Sequence, residues 1–176
     1  MNDIIIKSAK VEKMLVTPNE LELINKYAIE DLKTENIFTF KVAICDNEVD
    51  RDFEVFTNET LKNLAELFVG KTIIKDHNGK ADNQVARIFS TEIVTENKTT
   101  KNDEDYARLI ASCYMVKTES NKDLIAEIKA GIKKEVSVSC RIKRAICSIC
   151  GIDNRKNYCE HFNGETYSKK ECYFKL

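Results

Sequence analysis

Apolar residues recur along the first three quarters of the chain with either helical or strand periodicity. Helical spacing covers residues 19–34, 58–69 and a segment that runs from Ser120 to Gly131. Ser120 and Asp123 have the spacing of a capping box at the start of the third segment. We therefore predict three amphipathic helices, the second ended by Gly70 and the third by Gly131.

Runs rich in β-branched and aromatic residues alternate with these helices. They cover residues 37–45, 71–80, 84–94, 106–116 and 135–146. A turn at Asn78–Gly79 ends the second run, and an exposed polar loop over 95–105 joins the third to the fourth. In the last run, the apolar side chains fall on one face, and Ser137 and Ser139 on the other. This pattern predicts an α+β fold with a mostly antiparallel sheet or small barrel.

The charge balance gives no general reason to expect nucleic acid or membrane partners, because 28 basic side chains face 29 acidic ones. The apolar run at residues 4–6 is too short for a signal peptide or a membrane-spanning helix. A cytosolic chain is therefore expected, and its seven cysteines do not indicate a disulfide framework. We predict a domain over residues 1–146 and a small module over 147–176.

Four cysteines and a histidine near the C-terminal end have the spacing of metal ligands. Cys147 and Cys150 are separated by two residues and followed by glycine, so backbone N–H groups can point at their sulfur atoms. Cys159, His161 and Cys172 follow, which gives five donors for four positions. We predict a structural zinc knuckle with Cys147, Cys150, Cys159 and His161 as ligands and Cys172 as the alternative.

The composition of this module favours a bound metal. Residues 151–172 contain almost no apolar side chains, so the segment needs the folding free energy that a structural metal supplies. A metal-free reduced tail is the alternative, and a redox Cys-x-x-Cys site is disfavoured because no thioredoxin-like pattern surrounds it. The other cysteines, Cys45, Cys113 and Cys140, lie in strand-like runs and are predicted to be small core residues.

Several blocks of the sequence, taken together, resemble one protein family. The blocks are ELELINKYAIEDLK, DNEVDRDFEVF, LAELFVGKTIIKDH, AEIKAGIKKEVSVSCRI, and CSICG with CEH. Their combination is similar to the prohead (capsid maturation) serine proteases of tailed bacteriophages, which share fold and ancestry with herpesvirus assembly proteases. The resemblance covers nearly the whole chain from about residue 20 and is specific only in the combination of blocks.

The resemblance implies a serine endopeptidase with Ser137 as nucleophile and His77 as general base. In that mechanism His77 takes the hydroxyl proton of Ser137 and later protonates the leaving amine. Backbone N–H groups, helped by an arginine such as Arg141, would hold the oxyanion. The implied partners are phage scaffold and capsid proteins, cleaved inside the immature head in the bacterial host cytoplasm. Herpesvirus relatives are dimers, which leaves self-association open.

The sequence departs from the family pattern in two places. The glycine two residues after the nucleophile is Ser139 here, which offers a rival hydroxyl. Relatives continue beyond the position of Leu176 into a strand that we expect to supply the third, histidine-orienting residue. His161 has the separation of the second histidine of the herpesvirus enzymes, but the cysteines around it favour metal binding. Asp76 adjoins His77 and would point to the opposite face of a strand, so the third residue stays unassigned.

Two other classes of function stay open. A non-catalytic phage structural or scaffold-associated protein with the protease fold follows from Ser139 and the unassigned third residue. A zinc-dependent nucleic-acid-binding module follows from the basic pairs Lys143–Arg144 and Arg155–Lys156 near the knuckle. Plentiful acidic side chains and few interleaved aromatic residues argue against the second of these.

Overall fold

The structure is a computed structural model that describes residues 11–176. Within that range it contains ten strands and three α-helices. In chain order the strands are β1 (Val11–Lys13), β2 (Ile37–Asp46), β3 (Glu54–Val55), β4 (Thr72–Ile74), β5 (Gln84–Thr99), β6 (Asp105–Val116), β7 (Ile146–Cys147), β8 (Thr166–Tyr167), β9 (Lys170–Glu171) and β10 (Phe174–Lys175). The helices are α1 (Pro18–Asn25), α2 (Asn58–Phe68) and α3 (Lys122–Lys129). This is the α+β fold that the pattern predicts.

A five-stranded antiparallel sheet in the order β1-β2-β6-β5-β4 forms the centre of the fold. The main core lies between this sheet and the helices α2 and α3. It takes alternate residues of the central strands, because successive side chains of a strand point to opposite faces. These are Phe38, Phe40, Val42 and Ile44 of β2, and Ala107, Leu109, Ala111, Cys113 and Met115 of β6. As predicted, Cys45 and Cys113 are buried there, and Cys140 packs half-buried against the same core.

The opposite face of the sheet is covered by α1. Ile24 of that helix packs against Ile37, Phe89 and Tyr114 of the sheet. The helix ends at Asn25, well before the predicted end at residue 34. The reason is that the Asn25 amide bonds both backbone groups of Leu32, at 3.0 and 3.3 Å. Leu32 therefore reaches this second core through an irregular loop.

Two further boundaries differ from the prediction. Strand β5 continues to Thr99, so the loop predicted over 95–105 is reduced to a turn in which the Thr100 N–H donates to the Glu104 carbonyl. The capping box before α3 joins Thr118 to Asn121, and not Ser120 to Asp123. A backbone hydrogen bond accompanies the shifted boundary in the hairpin, and a side-chain hydrogen bond accompanies it before α3.

The run predicted as a strand over 135–146 does not form one. In the described chain, residues 132–145 are irregular apart from a single bridge at Val138. The predicted alternation is nevertheless visible, because Val138 and Cys140 pack against the main core while Ser139 and Arg141 are exposed. The pattern gave the faces of this segment correctly and its pairing wrongly.

The C-terminal residues are joined to the loop that precedes α2. Strand β10 pairs in parallel with β3 and antiparallel with β7. The N–H of Leu176 donates to the carbonyl of Val55 at 2.8 Å, and the Thr60 hydroxyl donates to the Leu176 carbonyl at 2.6 Å. The predicted module over 147–176 thus shares a small sheet with the rest of the chain.

Gly164 is a second point of attachment and gives a testable prediction. Its φ is +80°, and a Cβ at this position would lie 2.6 Å from the Phe53 ring. We expect Gly164→Ala to lower the free energy of unfolding by about 2–4 kcal/mol, from left-handed strain and overpacking combined. Gly131→Ala, with φ +73° and open space around it, should cost only the strain, about 1 kcal/mol. Equal losses in urea denaturation of the two variants would contradict the Phe53 contact.

Candidate active-site cleft and metal centre

A cleft of about 560 Å³ lies beside the edge strand β4. Most of its lining is apolar and comes from the sheet and α3, including Phe40, Val42, Ile73, Ile88, Met115, Leu124 and Ile128. Its polar lining residues are Lys71, Thr72, Lys75, Asp76, His77, Lys133, Glu135, Ser137 and Ser139. The fold therefore brings His77 and Ser137, which are remote in sequence, to one cleft.

His77 lies in a tight turn directly after β4 and is exposed. The N–H of Asn78 donates to the carbonyl of Lys75 at 2.9 Å, and both central residues of this turn, Asp76 and His77, have positive φ, at 54° and 51°. These features define a type I′ turn. The turn predicted at Asn78–Gly79 thus lies two residues earlier. Two consecutive non-glycine residues in the left-handed region carry strain, here as in the turn at Ser168 and Lys169 between β8 and β9.

The strain gives a prediction that can be tested by stability alone. His77→Gly is expected to raise the free energy of unfolding by about 0.5–1 kcal/mol, because glycine adopts positive φ without a steric penalty. Lys80→Gly is the matched control, since Lys80 is exposed in the same loop with φ −63°. Glycine there should destabilise the chain by a similar amount in urea denaturation. A loss of stability in His77→Gly would show that the histidine has a structural role at this position.

Ser137 and Ser139 both line the cleft, so their location alone does not identify which hydroxyl is the nucleophile. Ser137 is half-buried and Ser139 is exposed. The described lining does not include Arg141, the arginine that we expected near the oxyanion. The positively charged side chains that line the cleft are lysines, which the sequence did not lead us to expect. Lys71 and Lys75 flank β4, and their place next to the strand that precedes His77 was the available signal.

The acidic side chains among the described lining residues are Asp76 and Glu135, and both are exposed. Sequence reasoning overlooked Glu135. Its position two residues before Ser137 was the available signal, because such residues share a face of an extended segment. Neither carboxylate has the burial that is typical of a histidine-orienting acid in a serine triad.

A second site is formed by Cys147, Cys150, Cys159 and His161. One donor atom from each of the four residues lies within 4.8 Å of the others. The Cys150 and Cys159 sulfur atoms are 3.5 Å apart, and the Cys159 sulfur is 3.5 Å from Nδ1 of His161. This cluster could hold a metal ion, with the four ligands that the spacing predicts. His161 therefore lies in this candidate cluster and is not among the described residues that line the cleft.

The knuckle positions its sulfur atoms through the backbone. Cys147 ends β7, and the following turn returns the N–H of Ile149 to its sulfur at 3.4 Å. Gly151, at φ +75°, closes the turn by donating to the Cys147 carbonyl at 2.9 Å. The N–H of His161 points at the Cys159 sulfur in the same way, at 3.4 Å. The Ile149 contact is of the kind that the glycine after Cys150 predicts, and the His161 contact is a second one outside that turn.

The local environment favours the thiolate form of Cys147 over that of Cys159 or Cys172. Burial by itself would raise the pKa of Cys147, but hydrogen bonds from the N–H groups of Cys150 and Ile149 and from the Cys159 and Cys150 thiols together lower this pKa. Burial raises the pKa of the Cys159 thiol to about 11 and that of Cys172 to about 12. Cys172 lies outside the four-residue cluster, but its sulfur is 3.8 Å from that of Cys147.

Comparison with known proteins adds no assignment. A scan against protein-family models, a search of curated proteins and a search of solved structures each found no match to this chain. Among residues 11–176, no helix combines the length and the apolar character that crossing a membrane requires. The functional assignment therefore depends on the two sites.

Proposed function

We propose that this chain is a serine endopeptidase of the prohead maturation type, with Ser137 as nucleophile and His77 as general base. The observation that carries the proposal is the shared cleft, to which the two residues come from distant parts of the chain.

In the proposed reaction, Oγ of Ser137 attacks the carbonyl carbon of a peptide bond while His77 accepts its proton. The C–N bond then breaks, His77 protonates the leaving amine, and water hydrolyses the acyl-enzyme with His77 again acting as base. The apolar lining of the cleft favours an extended substrate segment with apolar side chains next to the scissile bond. Scaffold and capsid proteins of an immature phage head, in the host cytoplasm, are the proposed substrates.

We propose that the ion of the metal centre is zinc. In a tetrahedral zinc site with bonds of about 2.0–2.3 Å, neighbouring donor atoms are about 3.5–3.8 Å apart. The two 3.5 Å distances in the cluster fit such a site, and all four donor atoms lie within 4.8 Å of one another, so small side-chain movements would bring the others to it. Four protein ligands fill the coordination sphere, so the ion supplies folding free energy and no catalytic step.

The metal module is also positioned to support the cleft. Residues 132–145, which include Ser137, run from the end of α3 to β7, and β7 supplies the ligand Cys147. Strand β10 links β7 to β3 in the main domain. The ion thus anchors the far end of the segment that carries the nucleophile.

A non-catalytic capsid-assembly protein with the same fold is the second candidate. The observation in its favour is that the acidic side chains among the described cleft residues, Asp76 and Glu135, are both exposed. Ser139, in place of the family's glycine, also puts a side chain next to the proposed oxyanion site. This candidate retains the metal centre and predicts an unreactive Ser137.

Cleavage of a complex peptide mixture distinguishes the two candidates. The purified, zinc-loaded chain is incubated with a proteome-derived peptide library, and new peptide termini are identified by mass spectrometry. A peptidase yields a consistent set of termini that the Ser137→Ala variant does not produce. The same termini from both proteins, or none from either, would favour the non-catalytic candidate.

A further inference from the structure

Cys172 lies beside the metal cluster with its side chain fully buried. Its sulfur is 3.8 Å from the sulfur of Cys147. Two thiolates on one tetrahedral zinc ion, each at about 2.3 Å from the metal, have sulfur atoms about 3.8 Å apart. Cys172, the fourth thiol of the module, therefore lies at the sulfur–sulfur distance of two ligands that share one ion.

The backbone fixes Cys172 against the knuckle from two directions. Its N–H donates to the Glu165 carbonyl and its own carbonyl accepts from Gly164, both at 2.8 Å. The next residue, Tyr173, accepts from the Ser148 N–H at 2.9 Å and donates to the Ser148 hydroxyl at 3.0 Å. These bonds hold the Cys172 sulfur next to Cys147, a member of the cluster.

His161 approaches the cluster from a more exposed position. It is half-buried, and its ring packs edge-on against Tyr167 with centroids 4.5 Å apart. A four-coordinate zinc ion bound by three cysteines has one remaining position, so His161 and Cys172 cannot both bind within that geometry. The filled d shell of zinc imposes no preferred geometry, so either imidazole or thiolate can complete the sphere.

We propose that His161 and Cys172 are alternative fourth ligands of one zinc ion. When His161 binds, the set is Cys₃His. When it leaves, the thiol of Cys172 releases its proton to solvent and the thiolate binds, which adds one negative charge to the site. Because Cys172 lies two residues before Phe174 of β10, the four-thiolate form ties the ion directly to the strand that pairs with β3. The inference rests on the proposed zinc site but not on peptidase activity.

Cobalt(II) substitution in the full chain tests the proposal. Absorption spectra and chelator competition are recorded for wild type, His161→Ala, Cys172→Ser and the double variant. His161→Ala should keep one tightly bound ion, with stronger thiolate-to-cobalt charge transfer and d–d bands at lower energy than Cys172→Ser. The double variant should lose more than about a hundredfold in affinity, because even an outer-shell partner can contribute up to that factor. The control is Cys113→Ala, which removes a buried cysteine of the sheet. Its cobalt spectrum and affinity should match those of wild type.

Two results would overturn the proposal. His161→Ala could lose the ion as completely as the double variant, or it could bind the ion with the charge-transfer intensity of three thiolates and a water. Failure of the wild-type chain to bind one equivalent of cobalt or zinc would overturn the metal site itself. The spectra report the ligand set alone and the cleavage assay of the wild-type chain reports the peptidase, so a failed ligand exchange is distinguishable from a failed peptidase proposal.

Discussion

Replacing Ser137 by alanine is expected to lower the rate of peptide cleavage by about a thousandfold or more, because the attacking oxygen is removed. The fold should be unchanged, since Ser137 is only half-buried in an irregular segment. The measurement compares initial cleavage rates of the best peptide from the library for wild type and variant. Urea denaturation should give free energies of unfolding within about 1 kcal/mol of each other.

Ser139→Ala is the matched control for this experiment. Ser139 lines the same cleft two residues later and is the rival nucleophile. We expect its removal to leave the cleavage rate within a few fold of wild type, or to raise it if the side chain crowds the oxyanion. Loss of activity in Ser139→Ala together with retained activity in Ser137→Ala would reverse the assignment of the nucleophile.

Removing the metal is expected to unfold the C-terminal module while the five-stranded sheet persists. Apart from Cys147, Cys159 and Cys172, Phe174 is the one buried apolar side chain in the described core of this module. Structural zinc contributes about 10–16 kcal/mol of apparent binding free energy in small metal-binding domains, far more than such a core can supply. Hydrogen exchange should therefore become fast over residues 147–176 after chelation.

The same experiment measures the link between the metal and the cleft. Residues 132–145 should also lose protection, because their far end is anchored at Cys147, whereas β2, β5 and β6 should keep theirs. Cys147→Ser should reproduce the effect of the chelator, and Cys113→Ala should not. Unchanged exchange over 147–176 in the metal-free chain would contradict the structural role of the ion.

The parts of the fold that the sequence predicts well are those decided by local periodicity. The predictions of 58–69 for α2 and 37–45 for β2 begin at the observed residues and differ from the structure by one residue at the C-terminal end. Alternation in β6 correctly identifies Cys113 as a core residue. Here a strong local pattern and the tertiary packing require the same conformation.

The prediction fails where long-range contacts decide the conformation. Strand β10 pairs in parallel with β3, more than a hundred residues earlier in the chain, and neither segment has a pattern that indicates the other. The segment around Ser137 alternates like a strand but finds no ladder partner in the described residues. Asn25 ends α1 through hydrogen bonds to Leu32, which helical periodicity does not detect.

The two sites were predictable to different degrees. The metal cluster follows from spacing alone, because ligands close in sequence need only a tight turn to meet. The approach of Ser137 and His77 was expected only from the family resemblance, since no local rule joins residues so far apart. The turn that holds His77 was placed two residues too late, because Asn-Gly is the stronger turn signal and the structure uses Asp-His instead.

Fluorophosphonate labelling followed by peptide mass mapping tests the central claim most directly. The reagent reacts with activated serine hydroxyls and needs no knowledge of the substrate. In the folded, zinc-loaded chain we predict one adduct, on Ser137, that disappears in His77→Gly and persists in Asp76→Gly. Absence of an adduct on Ser137, or equal labelling of wild type and His77→Gly, would contradict the claim that His77 activates Ser137 in this cleft.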